Sequence, residues 1–219
     1  MFNRTMFNVV TIAREYGSGG CEIGRRLAEM LGWELVDRQL LERVAALGKI
    51  DPAWAQAADE QSCAWWERVL RAFRYGGLEH CTGAFDSGVD RDELQRFTAL
   101  AIREAGKRGR CVIVGRCAQC VLRDDPRALH VLVWAPLKER LERLKLEHPE
   151  ERDVPGLLRR MDADHARYAQ DYFGCQSCDR KLFHLCVNST LGLETCARLI
   201  ASAVGEQVAA TREEAAELR

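Results

Sequence analysis

The sequence contains no run that approaches 18 apolar residues, and the segment from Met1 to Asn8 lacks the long apolar core of a signal peptide. It also lacks an excess of charge, because 32 basic residues face 33 acidic ones and the formal net charge is -1. The first absence argues against a membrane-spanning helix, and the second against a surface for nucleic acid or another polyanion. We therefore expect a soluble, cytoplasmic protein that binds neither membranes nor nucleic acid.

A disulfide framework is not expected either, although the sequence has ten cysteines. A chain of 219 residues that is 47% hydrophobic can bury one substantial core without covalent links. Most of the cysteines are therefore predicted to be small buried apolar residues. Two C-x-x-C pairs, Cys117/Cys120 and Cys175/Cys178, leave alternatives open. They could hold a structural zinc ion if the fold joined them, although their separation far exceeds that of a zinc ribbon, or they could carry redox chemistry.

The most informative stretch runs from Val9 to Gly24, where an apolar β-branched segment leads through a glycine cluster into an amphipathic helix. Gly17, Gly19 and Gly20 can adopt positive φ and turn their backbone N–H groups outward. A helix that opens at about Cys21 leaves its first N–H groups unpaired at the positive end of its dipole. This pattern predicts a phosphate-binding loop, and the alternative is a tight turn between strand and helix that holds no ligand.

The standard phosphate-loop residues are missing from this loop. A Walker A motif reads G-x-x-x-x-G-K-[ST], in which the lysine contacts the donor phosphates and the hydroxyl binds Mg²⁺. With the second glycine on Gly19, Arg14 stands at the first glycine, Gly20 at the lysine and Cys21 at the hydroxyl residue. The phosphate-loop interpretation therefore needs support from the rest of the chain.

Strand and helix patterns alternate along the rest of the chain. Predicted strands are 33–37, 110–114, 129–134 and 182–188, and predicted helices are 38–47, 51–75, 90–106, 137–147, 155–173 and 193–204. This alternation favours βαβ units and a parallel sheet that is covered on both faces. Ligands of such sheets bind at the carboxyl ends of the strands. We therefore expect the Gly17–Gly20 loop, Asp37 and Arg116 to lie at one edge of the molecule.

The helix predicted at 155–173 carries Arg160, Asp164 and Arg167 at positions i, i+4 and i+7, so all three point the same way. One interpretation is a solvated face with a weak ion pair. The other is a set of guanidinium groups that closes over phosphates. Spacing alone favours the first.

Several of these segments resemble the cytidylate kinase-like family, which is related to the bacterial cytidylate kinases among the P-loop nucleoside monophosphate kinases. Ala13 to Gly24 resembles the family's own variant of the phosphate loop, and Gly115-Arg116-Cys117 resembles the G-R-D step that holds CMP. The set Arg160, Asp164 and Arg167 is similar to the lid pattern of those enzymes. The segment from Val187 to Glu194 is similar to their final strand and its turn into the last helix.

The resemblance implies an α/β fold, with a P-loop NTPase-type parallel sheet flanked by helices and a helical lid. It implies a single domain over 1–219, with a helical insertion at 51–88 near the monophosphate-binding region and the lid at 149–181. The expected activity is Mg²⁺-dependent phosphorylation of a nucleoside monophosphate such as CMP, with ATP as donor. The alternative is a catalytically impaired nucleotide-binding or regulatory protein on the same fold. Nucleotides are the expected partners, and a homodimer is left open.

The resemblance also assigns roles to residues. The expected catalytic residues are Arg116, Arg160, Asp164 and Arg167. The expected donor-binding residues are Arg14, Gly17, Ser18, Gly19, Gly20, Cys21, Glu22, Arg140 and Arg143. The expected acceptor-binding residues are Asp37, Arg43 and Arg116. No protein ligand is assigned to the metal, although Glu22 or Asp37 could hold it.

The chain departs from cytidylate kinases at the residues that those enzymes use for the donor and the base. Gly20 and Glu22 stand where the loop lysine and the following threonine are expected, and Cys117 replaces the aspartate that contacts the cytosine amino group. Arg38 and Glu42 stand near the places of the serine and tyrosine of the CMP-binding helix. A preference for cytosine is therefore in doubt. Our hypothesis is that Arg14, Arg25, Arg140 or Arg143 replaces the missing lysine, because a guanidinium binds phosphate oxygens in bidentate fashion.

Overall fold

A computed structural model describes residues 7–37 and 91–205, without the side chains of residues 91–94. The predicted helices at 38–47 and 51–75, the insertion at 51–88 and Arg43 lie outside the described residues. Helices and strands are numbered here over the described part of the chain.

The centre of the fold is a five-stranded sheet, in which every strand is parallel to its neighbours. The strands are β1 (Val9–Arg14), β2 (Glu34–Val36), β3 (Cys111–Val114), β4 (Ala128–Trp134) and β5 (Leu185–Asn188). Their order across the sheet is β2-β3-β1-β4-β5. Val9 of β1 is in register with Cys111 on one side and Ala128 on the other. The prediction of a parallel sheet is therefore confirmed.

Six α-helices are described: α1 (Gly20–Leu31), α2 (Arg91–Arg108), α3 (Ala118–Val121), α4 (Leu137–Glu147), α5 (Val154–Phe173) and α6 (Leu193–Val204). Apolar residues of α1 and α6 bury one face of the sheet, where Ile23, Leu27 and Ile200 meet alternate residues of β1, β3 and β4. Residues of α2 and α3, among them Ile102 and Ala118, bury the other face. Strands buried on both faces explain the continuous apolar runs of the sequence.

Among the boundaries that differ from the sequence prediction, two show the local reason for the difference. The last strand begins at Leu185 rather than Leu182, because Arg180–Leu182 forms a 3-10 turn in which the Lys181 N–H donates to the Asp179 carboxylate. Helix α2 continues to Arg108, and Gly109 then ends it with φ of 69°. Within residues 7–37 and 91–205, none of the helices has the length and apolar character needed to cross a membrane.

Candidate active site

The glycine loop joins the end of β1 at Arg14 to the start of α1 at Gly20. Gly17 and Gly19 have φ of 76° and 79°, in the left-handed region. A Cβ atom on Gly17 would lie 2.8 Å from Leu144 Cγ, and one on Gly19 would lie 2.7 Å from Leu193 Cδ2. Both positions therefore require glycine for backbone angle and for space. Gly20 needs glycine for space alone, because a Cβ there would lie 2.6 Å from Arg14 Cβ.

The backbone N–H groups of this loop divide into two sets. Tyr16 N–H donates to the Asp162 carboxylate at 3.2 Å, and Ser18 N–H donates to the Glu15 carbonyl at 3.1 Å. The second set, the N–H groups of Gly17, Gly19, Gly20, Cys21 and Glu22, has no acceptor among the described residues. The buried Ser18 hydroxyl likewise has no partner in the described part of the chain. The loop therefore presents unpaired donors at the positive end of α1.

A cavity of about 550 Å³ lies over the glycine loop, and we call it the loop cavity. Asp37, which follows β2, lines it together with Gly17, Gly19 and Gly20. The described side chains that line it carry four carboxyl groups, those of Glu15, Glu22, Asp37 and Glu147, and two guanidinium groups, those of Arg14 and Arg25. A polyanion would meet unpaired amides in this cavity and also a surplus of acidic side chains.

Arg140 and Arg143 of α4 bind the carbonyl side of the glycine loop. Arg140 is buried, and its guanidinium donates to the Tyr16 carbonyl at 3.3 Å and to the Asp162 carboxylate at 2.8 Å. Arg143 donates to the Gly17 carbonyl at 2.8 Å. Neither side chain lines the loop cavity. In this structure the two arginines hold the loop in shape from outside the cavity.

Arg25 and Arg14 differ sharply in their partners. Arg25 pairs with Glu22 at 2.7 Å and also with Glu29, and Glu22 pairs with Arg26 as well. Hydrogen bonds from Arg25 and Arg26 lower the pKa of Glu22 to about 2, so this carboxyl is ionised at neutral pH. Arg14 forms no ion pair with a carboxylate of the described residues, and it lines the loop cavity and a second cavity. Among the hypothesised replacements for the lysine, Arg14 is the one that combines a position at the cavity with an uncommitted charge.

The second cavity has a volume of about 370 Å³ and lies at the carboxyl end of β3, so we call it the β3 cavity. Gly115, Arg116 and Cys117 lie in its wall with φ of 83°, 55° and 53°. Three successive left-handed residues turn the chain sharply, and two of them are not glycine, so the surrounding structure holds a strained conformation. Arg116 Cζ lies 5.8 Å from the centre of the Tyr168 ring of α5. Burial raises the pKa of Tyr168 to about 12.

Helix α5 covers both cavities with one face. Met161, Asp164, His165 and Tyr168 line the β3 cavity, and Met161 and His165 also line the loop cavity. Arg160 and Arg167 are exposed and line neither cavity, and Arg167 lies 3.8 Å from Asp164. Met161, His165 and Tyr168 were not predicted as site residues, although their spacing of i, i+4 and i+7 is the same helical signal that selected Arg160, Asp164 and Arg167.

The residues that the strand-end rule selected lie close together, as expected. The Gly17–Gly20 loop and Asp37 line one cavity, Arg116, Cys117 and Asp164 line the other, and Arg14 lines both. Cys21 and Glu22 lie on the first turn of α1 in the loop cavity.

In this fold a glycine loop joins the first strand of a five-stranded parallel sheet to the first helix, and another helix lies across the cavity over that loop. This arrangement defines a P-loop kinase-type fold. Comparison with a model of the cytidylate kinase-like family gives a match over residues 9–191. The chain belongs to the cytidylate kinase-like family. No curated protein matches the sequence closely enough to count as a relative.

Solved structures agree with this fold. An uncharacterized protein from Eubacterium ventriosum ATCC 27560 is 18% identical with a TM-score of 0.66, and the match covers 91% of this chain and 99% of that chain. Shikimate kinase from Bacteroides thetaiotaomicron is 10% identical with a TM-score of 0.50, over 90% of this chain and 98% of that one. These likenesses concern the fold, and the family supports a kinase-type phosphotransferase.

Proposed function

We propose that the protein is an ATP-dependent nucleoside monophosphate kinase, with the triphosphate over the glycine loop and the monophosphate in the β3 cavity. The observation that carries the proposal is that the two cavities are adjacent and share Arg14, Met161 and His165. Phosphoryl transfer requires donor and acceptor to lie side by side with the transferred group between them. Arg14, at the shared wall, is suitably placed to contact that group.

The donor phosphates would bind the unpaired amides of Gly17 and of Gly19 to Glu22, with Arg14 supplying the positive charge that the missing lysine would give. The acidic surplus of the loop cavity opposes a free polyphosphate. Asp37 and Glu22 offer oxygen ligands for Mg²⁺, directly or through water. Magnesium, when bound, neutralises phosphate charge and orients phosphate oxygens. We therefore expect nucleotide binding to depend strongly on Mg²⁺.

The acceptor phosphate would bind Arg116, with Arg43 as a second contact. The β3 cavity has two guanidinium groups, those of Arg14 and Arg116, against the one carboxyl group of Asp164 among the described residues. This balance favours an anion that carries no metal. CMP is our first candidate on the strength of the family, and Cys117 in place of the expected aspartate makes a broader choice of base the alternative.

Helix α5 would form the core of a lid over residues 149–181. Arg160 and Arg167 are exposed in this structure, so a rotation or closure of α5 is needed to bring them to the phosphates. In the proposed mechanism Asp164 orients Arg167 or binds the acceptor sugar. The lid also excludes water, which prevents hydrolysis of the donor.

The test is a thermal-shift and calorimetry panel of nucleoside mono-, di- and triphosphates with and without Mg²⁺, followed by a coupled assay on the common monophosphates. A ligand that binds only the folded state raises the midpoint of unfolding. We expect Arg14→Ala to weaken triphosphate binding by about 10- to 100-fold, because a charged hydrogen bond contributes roughly 1.5–3 kcal/mol. Arg25→Ala is the comparison, and its effect should be smaller because Glu22 and Glu29 already neutralise Arg25.

One result would separate the proposed kinase from its alternative, and another would exclude both. Tight Mg²⁺-dependent nucleotide binding without phosphoryl transfer to any monophosphate would favour a nucleotide-binding regulatory protein, an outcome that the missing lysine makes worth testing. The absence of any nucleotide binding would exclude both functions.

A further inference from the structure

The two C-x-x-C pairs touch through one cysteine each, Cys120 and Cys175, which are 55 residues apart in the chain. Cys117 and Cys120 lie at the start of α3, and Cys175 and Cys178 follow the end of α5 at Phe173. Cys120 Sγ lies 3.2 Å from Cys175 Sγ. Cys117 and Cys178 both line the β3 cavity. The fold thus brings one cysteine of each pair into contact and places the other two at the wall of one cavity.

We propose that Cys117, Cys120, Cys175 and Cys178 together bind one Zn²⁺ ion. Each C-x-x-C pair supplies two sulfur ligands at the spacing that structural zinc sites use. The two pairs come from different elements of the fold, so that the metal would join them as a link between α3 and the chain after α5. Zinc binding does not require kinase activity, but it would involve Cys117 and Cys178 in the wall of the β3 cavity and would tie the end of α5 to α3.

The distance between the two central sulfurs favours a metal site over a disulfide. Four sulfurs at about 2.3 Å from a tetrahedral zinc ion are about 3.8 Å from one another. A disulfide requires about 2.05 Å between its sulfurs. The observed 3.2 Å between Cys120 and Cys175 is closer to the first value, and all four thiols are free in this structure.

The local backbone is suited to two chelating turns. Cys120 N–H donates to the Cys117 carbonyl at 2.8 Å, which closes the first C-x-x-C turn, and the Cys117 and Cys120 side chains interact. Cys175 directly follows Gly174, which ends α5 with φ of 61°. A turn closed by Asp179 N–H donating to the Gln176 carbonyl at 3.1 Å then carries Cys178.

A tetrathiolate site has a net charge of -2 when zinc is bound, and acidic groups also act on Cys175, from Asp179, and on Cys178, from Glu15 and Asp162. Arg123 acts electrostatically on both Cys120 and Cys175, and its positive charge would partly offset that of the site.

Completion of the site requires a local movement. Among the described residues no three His, Cys, Asp or Glu side chains already stand in a metal-binding arrangement. Cys178 is exposed and its Sγ accepts from the Ser177 hydroxyl at 3.8 Å, so its thiol must turn toward the Cys120–Cys175 contact. Cys117 must turn its thiol toward the same point.

The experiment measures zinc in the full-length protein, purified with zinc in the medium and without chelators. We expect about one zinc ion per chain, released when a mercurial reagent blocks the thiols, as structural sites of this type require. Cys120→Ser and Cys175→Ser should lose the metal. Cys186→Ser, a change at an exposed cysteine on β5, should retain it and serves as the matched control.

A second measurement avoids any dependence on folding of the variants. Wild-type protein exchanged into Co²⁺ should show the intense visible absorption of tetrahedral thiolate coordination. The proposal is wrong if the protein contains no zinc and all its thiols react freely, or if peptide mapping finds a Cys120–Cys175 disulfide. It is equally wrong if zinc stays bound in the Cys120→Ser, Cys175→Ser and Cys178→Ser variants.

Discussion

The Asp162 carboxylate of α5 accepts a hydrogen bond from Arg140 of α4 at 2.8 Å. Its other oxygen accepts from the Tyr16 N–H at 3.2 Å, and Arg140 also donates to the Tyr16 carbonyl. These bonds join two helices to the first residues of the glycine loop. The position of α5 over the cavities therefore depends on a buried arginine with a partly exposed carboxylate partner.

We predict that Asp162→Asn lowers the free energy of unfolding by about 1–2 kcal/mol, because it removes one partner from a largely buried ion pair. It should also loosen α5 at the loop, since Glu15, at 3.5 Å, is then the one acidic partner of Arg140 among the described residues. Denaturant unfolding measures the first effect, and faster hydrogen exchange at the Tyr16 amide measures the second.

Asp164→Asn is the matched control for this prediction. Its ion pair with Arg167 is 3.8 Å long and exposed, with 62% of the Asp164 side chain accessible. Such pairs contribute about 0–1 kcal/mol, so stability should hardly change. Equal losses for Asp162→Asn and Asp164→Asn would contradict a special role for the Asp162 contact.

The glycine loop before α1 gives a second prediction, with a control at Gly32, directly after that helix. Gly17→Ala and Gly32→Ala both place alanine in a left-handed conformation, which costs roughly 1–2 kcal/mol. Only Gly17→Ala adds a close contact, with Leu144, whereas a Cβ on Gly32 has no neighbour within 4 Å. We expect both variants to lose stability and only Gly17→Ala to lose triphosphate affinity, by about 10-fold or more. Calorimetry measures the triphosphate affinities of both variants. If Gly32→Ala loses as much affinity as Gly17→Ala, backbone strain alone explains the loss of affinity.

Tyr168 supports a third prediction, on acceptor binding. Tyr168→Leu removes the ring that lies against Arg116 and should raise the KM for the monophosphate about 3- to 10-fold, as expected for a lost cation–π contact. The KM for the triphosphate should stay the same, because Tyr168 does not line the loop cavity. Tyr168→Phe keeps the ring and should retain most of the affinity. A Phe variant as weak as the Leu variant would assign the effect to the hydroxyl.

The fourth prediction concerns the pH dependence of stability. Burial, and then the neighbouring His184, lower the pKa of His130 to about 4, and Thr11 Oγ1 lies 2.8 Å from its Nδ1. The unfolded state, with a histidine pKa near 6.5, therefore binds more protons than the folded state between about pH 6.5 and pH 4. Stability should fall as the pH drops through this window, by about 2 kcal/mol between pH 7 and pH 5.

Urea unfolding at a series of pH values measures this loss. His130→Gln cannot take up the proton, so its stability should change less over the same range, even if it is lower at pH 7. An unchanged pH slope in the variant would assign the acid sensitivity to other groups.

The sequence was sufficient for the sheet, the helices within the described residues and the placing of the strand-end residues around two adjacent cavities, because those follow from local periodicity and from the rule for strand ends. It could not show which face of α5 meets the cavities. The sets Arg160/Asp164/Arg167 and Met161/His165/Tyr168 have the same spacing, and tertiary packing alone decides between them. The contacts of Asp162 with Arg140 and of Cys120 with Cys175 join distant segments, so no local pattern predicts them.

Met161 and His165 stand in the walls of both cavities, so a single displacement of α5 changes access to each. In a working kinase the two substrates would be enclosed together, and the two products would be freed together. The turnover rate would then be set by the rate at which α5 moves off the two cavities, whichever base the acceptor carries.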